Sequence, residues 1–109
     1  MRKKRSKKTL RLDDQLYVQI GCQAIREEVS TNILLEEGML AVLKAYQRAN
    51  RAKQARGRER VTRRNVSTTI DPKLYKELRL LAKTLGVTAN VLVEDGIVRV
   101  LQRRRNEAE

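Results

Sequence analysis

Apolar and polar positions alternate along the start of the chain, then recur every three or four residues, and later both patterns return. Over Lys7-Lys8-Thr9-Leu10-Arg11-Leu12, Leu10 and Leu12 fall on one side and Lys7, Thr9 and Arg11 on the other, which is the period of a strand. Over Asn65-Val66-Ser67-Thr68-Thr69-Ile70, Val66, Thr68 and Ile70 share one face and Asn65, Ser67 and Thr69 the other. The run Thr68-Thr69-Ile70 favours extended backbone over helix.

A helix is expected immediately after each of these segments. Asp13 and Asp71 are N-cap residues whose carboxylates can accept from free backbone N–H groups, and Pro72 suits the first helical position. Leu16, Ile20 and Ala24 then form a stripe with Tyr17 and Ile25 beside it; Leu74, Leu78, Leu81, Ala82 and Leu85 do the same with Tyr75. Gly86 suits a left-handed helix end. Glu28 stands at the matching place, so that turn is expected to be built differently. Second helices start at the N-cap types Ser30 and Thr88 and run to about Tyr46 and Leu101. They are apolar around most of their circumference and are the expected buried elements. Gly38 and Gly96 lie in the middle of them, where glycine is unfavourable by about 1 kcal/mol against Ala. Close approach of another helix explains why both are kept.

The two patterns are one pattern repeated. An offset of 58 residues aligns Asp13 with Asp71, Leu16-Tyr17 with Leu74-Tyr75, Asn32 with Asn90, Glu36 with Glu94 and Gly38 with Gly96, without a gap. A period this long indicates two copies of one supersecondary unit. Each copy is about 45 residues, near the lower limit for an independent core, so the copies are expected to share one. The expected division is a basic arm over 1–6, a first unit over 7–46, a basic linker over 47–64, a second unit over 65–102 and a charged tail over 103–109.

Charge sharpens the reading. The 109 residues carry a formal net charge of +12. Arg2, Lys3, Lys4 and Arg5 precede the first unit, and Arg56, Arg58, Arg60, Arg63 and Arg64 precede the second. Such blocks suit a polyanion, of which the phosphate backbone of nucleic acid is the commonest. Three Tyr with no Phe or Trp leave few rings to stack on single-stranded bases. The lone Cys22 permits no intrachain disulfide and reads as a small apolar residue on a helix. With no His and no Cys cluster, no zinc site or other cofactor is expected. Ile33-Leu34-Leu35 is far too short to span a membrane, and no apolar segment follows the basic start as a secretory signal would require. The carboxylate pairs Glu36-Glu37 and Glu94-Asp95 have no nucleophile or base beside them in the sequence and read as solvated or intersubunit charge, so no enzyme is expected.

Strand, helix, turn and helix, twice, with basic approaches, resembles the ribbon-helix-helix family of DNA-binding proteins, the Arc and MetJ class. The segments that carry the resemblance are Thr9-Leu10-Arg11-Leu12-Asp13 and Ser67-Thr68-Thr69-Ile70-Asp71, Val29-Ser30-Thr31-Asn32 and Val87-Thr88-Ala89-Asn90, and Glu36-Glu37-Gly38 and Glu94-Asp95-Gly96. The resemblance implies a mainly α fold with a two-stranded antiparallel β-ribbon over a shared four-helix core. A linker of about 17 residues reaches about 20–25 Å, enough for the two copies to pair within one chain as a pseudo-dimer, the preferred arrangement; the rival is like-with-like pairing in a two-chain assembly, which predicts palindromic elements. It also implies a ribbon inserted into the major groove of double-stranded DNA. Base contacts then fall to Lys7, Thr9, Arg11, Asn65, Ser67 and Thr69. Phosphate contacts fall to Ser30, Thr31 and Asn32, to Thr88, Ala89 and Asn90, and to Arg5, Arg63 and Arg64.

The expected function is transcription regulation by sequence-specific binding to duplex DNA. The alternative on the same fold is a plasmid or conjugation accessory protein, or a DNA-packing protein. A cytoplasmic, DNA-associated location and self-association on DNA accompany either. The chain departs from the family pattern in being tandem, and in placing Lys8 and Thr68 on the ribbon's inner face. The strands are expected to fray there.

Overall fold

A computed structural model describes residues 6–48 and 62–108. Residues 1–5 of the basic arm, with Arg5, and residues 49–61 of the linker lie outside the described residues. The order is β1 (Ser6–Asp13), α1 (Asp14–Glu27), α2 (Thr31–Arg48), β2 (Arg63–Ile70), α3 (Pro72–Leu85) and α4 (Ala89–Ala108). The fold is mainly helical with one two-stranded antiparallel sheet.

β1 pairs with β2 without interruption from Ser6↔Ile70 to Asp13↔Arg63. Alternation decides the faces. Leu10, Leu12, Val66, Thr68 and Ile70 are buried, while Lys7, Thr9, Arg11, Asn65 and Ser67 are exposed. The expected fraying does not occur. Lys8 and Thr68 are cross-strand partners within the ladder. The Lys8 ammonium lies 5.6 Å from the Tyr75 ring centre, and the Thr68 hydroxyl donates to Asn32 Oδ1. Arg64 covers Tyr17 at 4.9 Å. Both ends of the inner face are thus closed by a cation on a tyrosine.

Helix starts follow their caps. The Asp13 carboxylate accepts from Gln15 N at 2.9 Å and Leu16 N at 3.4 Å, and Asp71 accepts from Lys73 N at 3.0 Å. The expectation of different turns at Glu28 and Gly86 is corrected. Glu28 adopts the left-handed conformation (φ 58°, ψ 41°), as Gly86 does (φ 74°, ψ 29°). Val29 N donates to Ala24 O, and Val87 N to Ala82 O, both at 3.0 Å. The same hydrogen bonds are made, and Glu28 carries the strain of a β-carbon at positive φ.

The two glycines account for the core's centre. A Cβ added at Gly38 would lie 2.6 Å from the Gly96 carbonyl carbon, and the reverse holds equally. α2 and α4 therefore cross backbone to backbone, and only a hydrogen in place of Cβ fits. Leu34, Leu35, Met39 and Val42 of α2 and Leu92, Val93, Ile97 and Val100 of α4 pack around the crossing, beneath the ribbon's inner face. α1 and α3 flank this core through Leu16, Ile20 and Ala24 and through Leu74, Leu78 and Ala82.

Two boundaries and one burial differ from expectation. β2 begins at Arg63, inside the expected linker. The charged tail continues α4 to Ala108. Ile25, placed beside the buried stripe by its spacing, is 78% exposed.

Candidate nucleic-acid interface

Hydrogen bonding forces a strand pair to present every second side chain outward. The register converts the outward positions into cross-strand pairs: Lys7↔Thr69, Thr9↔Ser67 and Arg11↔Asn65. All six sequence-derived base-contact candidates therefore lie together on one face. Five are exposed and Thr69 is half-buried. Two of the six are cations, three are hydroxyls, one is an amide and none is a carboxylate.

The ribbon is anchored at both ends by carboxylates from the helices below. Glu94 Oε2 accepts from Asp13 N, and Glu36 Oε2 accepts from Asp71 N, each at 2.8 Å. Glu94 is 3% exposed. It also accepts from Arg63 Nε at 2.9 Å and Nη2 at 3.1 Å. That carboxylate raises the Arg63 pKa above its ordinary value. The sequence read these glutamates as solvated or intersubunit charge; here each is bonded within the chain. Each takes a backbone donor at the end of a strand and fixes the ribbon's height over the core.

The two ends differ in chemistry. At the α2 end, Asn32 Nδ2 donates to the Thr69 hydroxyl at 2.8 Å, and Asn32 Oδ1 accepts from buried Thr68. The Asn32 side chain is therefore turned to the ribbon, where the Thr69 hydroxyl oxygen serves as its acceptor. At the other end, the counterparts of Thr68 and Thr69 are Leu10 and Arg11, and among the described residues no amide latch of this kind is built there.

The remaining phosphate-contact candidates are placed as follows. Ser30 and Thr31 open α2, with Ile33 N donating to Ser30 O at 3.1 Å. Thr88, Ala89 and Asn90 open α4; the Thr88 hydroxyl accepts from Val91 N at 3.3 Å. Ser30 and Thr88 are exposed. Arg64 is exposed and forms an ion pair with Asp14 at 2.9 Å. Arg63 is committed to Glu94.

Spacing alone missed Arg104. Its guanidinium donates from Nε to Glu27 at 2.6 Å and from Nη1 and Nη2 to Glu37 at 2.8 Å, tying α4 to α1 and α2. Hydrogen bonds from Arg104, and then from Gln23, hold the Glu27 carboxyl below its ordinary pKa. The matching position, Tyr46, donates to Asp95 at 3.0 Å. Burial first, and then the Asp95 charge, raise the Tyr46 pKa. One joint is an ion-pair fork and the other a phenol–carboxylate hydrogen bond, so positions 58 apart show no common residue to notice.

Among the described residues, no group of three or more Cys, Asp or Glu is placed to hold a metal ion, and no helix is long and apolar enough to cross a membrane. No family model, curated protein or solved structure matches the chain.

Proposed function

We propose that the chain is a tandem ribbon-helix-helix protein, folded as an intrachain pseudo-dimer, that regulates transcription by inserting its β-ribbon into the major groove of duplex DNA. The observation that carries the reading is the outer ribbon face. It gathers six side chains suited to base edges into three cross-strand pairs, with cations and no carboxylate. A two-stranded ribbon is of a width the B-DNA major groove accepts. The pseudo-dimer is supported by contacts between positions 58 apart: Thr9 lies opposite Ser67, and Gly38 lies against Gly96. The reciprocal strand anchors, Asp13 to Glu94 and Asp71 to Glu36, fit the same two-fold relation.

Each side chain then has a role. Arg11 offers two parallel donors to guanine O6 and N7, and its neighbour Asn65 pairs with adenine N6 and N7. Thr9 and Ser67, at the ribbon's centre, bond either base edge or touch a thymine methyl. Lys7 and Thr69 supply donors at the far end. The free N–H groups opening α2 and α4 hold flanking phosphates, and Arg64, exposed at the start of α1 beside Asp14, adds positive charge to the ribbon's edge. Arg5 and the neighbouring basic residues add affinity that does not depend on sequence. The face is not symmetric, so the preferred element is not a palindrome.

Selection from a random duplex pool tests this, with binding then measured on the selected site and on unrelated DNA. Arg11→Ala and Thr9→Ala are each expected to weaken the selected site by roughly 1–3 kcal/mol while leaving unrelated DNA nearly unchanged. Equal losses on both would reduce these residues to phosphate contacts and overturn the reading.

A further inference from the structure

We infer that the outer face of α1 is a self-association surface, joining two copies of this chain in antiparallel fashion about a two-fold axis. The inference goes beyond DNA binding and does not depend on it.

Four apolar side chains remain uncovered along α1 and its end. Val18 is 49%, Ile25 78% and Val29 37% exposed, and Cys22 between them is exposed as well. Their spacing of four, three and four residues lines them up as one helical seam, the spacing by which two helices pack side by side. Contiguous exposed apolar surface on a small protein marks a contact site.

Three features make the occupant a second copy. The patch has matching relief: Ile25 protrudes, and beside it α1 and α4 enclose a groove of about 490 Å³ whose lining includes Val18, Cys22 and Leu101. A two-fold axis near the middle of the seam sends each Ile25 into the other copy's groove. The charges are also complementary. Arg26, Arg104 and Arg105 line the groove; Arg104 is already held by Glu27 and Glu37, which leaves Arg26 and Arg105 to meet an acid, and Glu28, beside Val29, forms no ion pair among the described residues. Antiparallel packing brings Glu28 of one copy toward the groove of the other.

The matching face of α3 excludes itself. At positions 58 further on it has Lys76, Leu80, Lys83 and Val87, with Lys73 and Arg79 nearby. Leu80 is 61% exposed but is flanked by Lys76 and Lys83, with Glu77 the one acid beside it, so the face carries a net positive charge that disfavours pairing with its own copy. Association through α1 therefore closes at two chains. The seam is one helix wide, at the small end of specific interfaces, so a weak, concentration-dependent contact is expected.

The full chain without DNA tests the inference by sedimentation velocity across the micromolar range. The mass should rise from one chain, 12.6 kDa, to two. Antiparallel packing with Cys22 opposite Ile25 offsets the two Cys22 by three residues, about 4.5 Å along the axis. A short bis-maleimide should therefore link them. Ile25→Glu should weaken association at least tenfold with unchanged helical circular dichroism, while Leu80→Glu should leave it intact. A one-chain mass at every concentration would overturn the inference, as would a two-chain species that survives Ile25→Glu or is lost in Leu80→Glu.

Discussion

The crossing of α2 and α4 and the outer faces of α1 and α3 follow different rules. At the crossing, positions 58 apart hold the same residue and meet: Gly38 touches Gly96. Just above it, Asp13 is bound by Glu94 and Asp71 by Glu36. On the outer faces the corresponding positions have separated, Val18, Cys22 and Ile25 standing where the second half has Lys76, Leu80 and Lys83. A residue that packs against its own counterpart is constrained from both sides, because one change disturbs a contact shared by both halves. A residue facing water is constrained by neither, and there the halves can acquire different partners. The ribbon combines the two regimes, with an inner face set by packing and an outer face whose paired positions differ.

Substitution at the crossing gives the largest expected effect. Gly38→Ala and Gly96→Ala each force backbone apart and should lower stability by roughly 3 kcal/mol by denaturant titration. Similar losses at both positions would confirm the shared crossing, and a marked difference would break the comparison. The strand anchors come next. Glu94→Ala removes one acceptor shared by Arg63 and the Asp13 N–H and should reduce stability by about 3 kcal/mol; at the less buried Glu36 the loss should be nearer 1.5 kcal/mol.

The left-handed turns separate the halves by a smaller amount. Glu28→Gly should stabilise by about 1 kcal/mol and Gly86→Ala should destabilise by a similar amount, because only glycine adopts positive φ without strain. The least effect should come from pH. Arg104 lowers the Glu27 pKa below its ordinary 4.5. Stability from that contact is present above the ordinary value and is lost as pH falls through the lowered one. Arg104→Met should flatten this part of the acid profile, with thermal melting between pH 5 and pH 2 as the measurement.

Much of the architecture was legible in the sequence because it lies in patterns that packing imposes. Alternation through Leu10-Arg11-Leu12 located the first strand and its faces, the caps Asp13 and Asp71 located helix starts, and the paired glycines announced a close crossing. The six outward ribbon residues were readable for the same reason, since a period of two leaves no choice of face. What escaped was chemistry without a repeated signature. Glu28 enters the left-handed region without being glycine. Arg104 and Tyr46 fill matching joints with unlike groups. Asn32, a helix-start residue by type, turns its amide toward Thr68 and Thr69, which only the packed structure brings within reach. The pairs Glu36-Glu37 and Glu94-Asp95 read as solvated or intersubunit charge because nothing in the sequence shows that the Asp13 and Asp71 N–H groups point at Glu94 and Glu36.

Pairing of β1 with β2 inside one chain supports every functional statement made for the ribbon, and a cysteine pair probes it. In a Cys22→Ser background, Thr9→Cys and Ser67→Cys place two thiols at cross-strand partners. A short thiol crosslinker applied to dilute protein should join them within the chain. The product should run at one-chain mass on a denaturing gel, with a yield independent of protein concentration. Links that form only between chains, with a yield that rises with concentration, would contradict the intrachain ribbon.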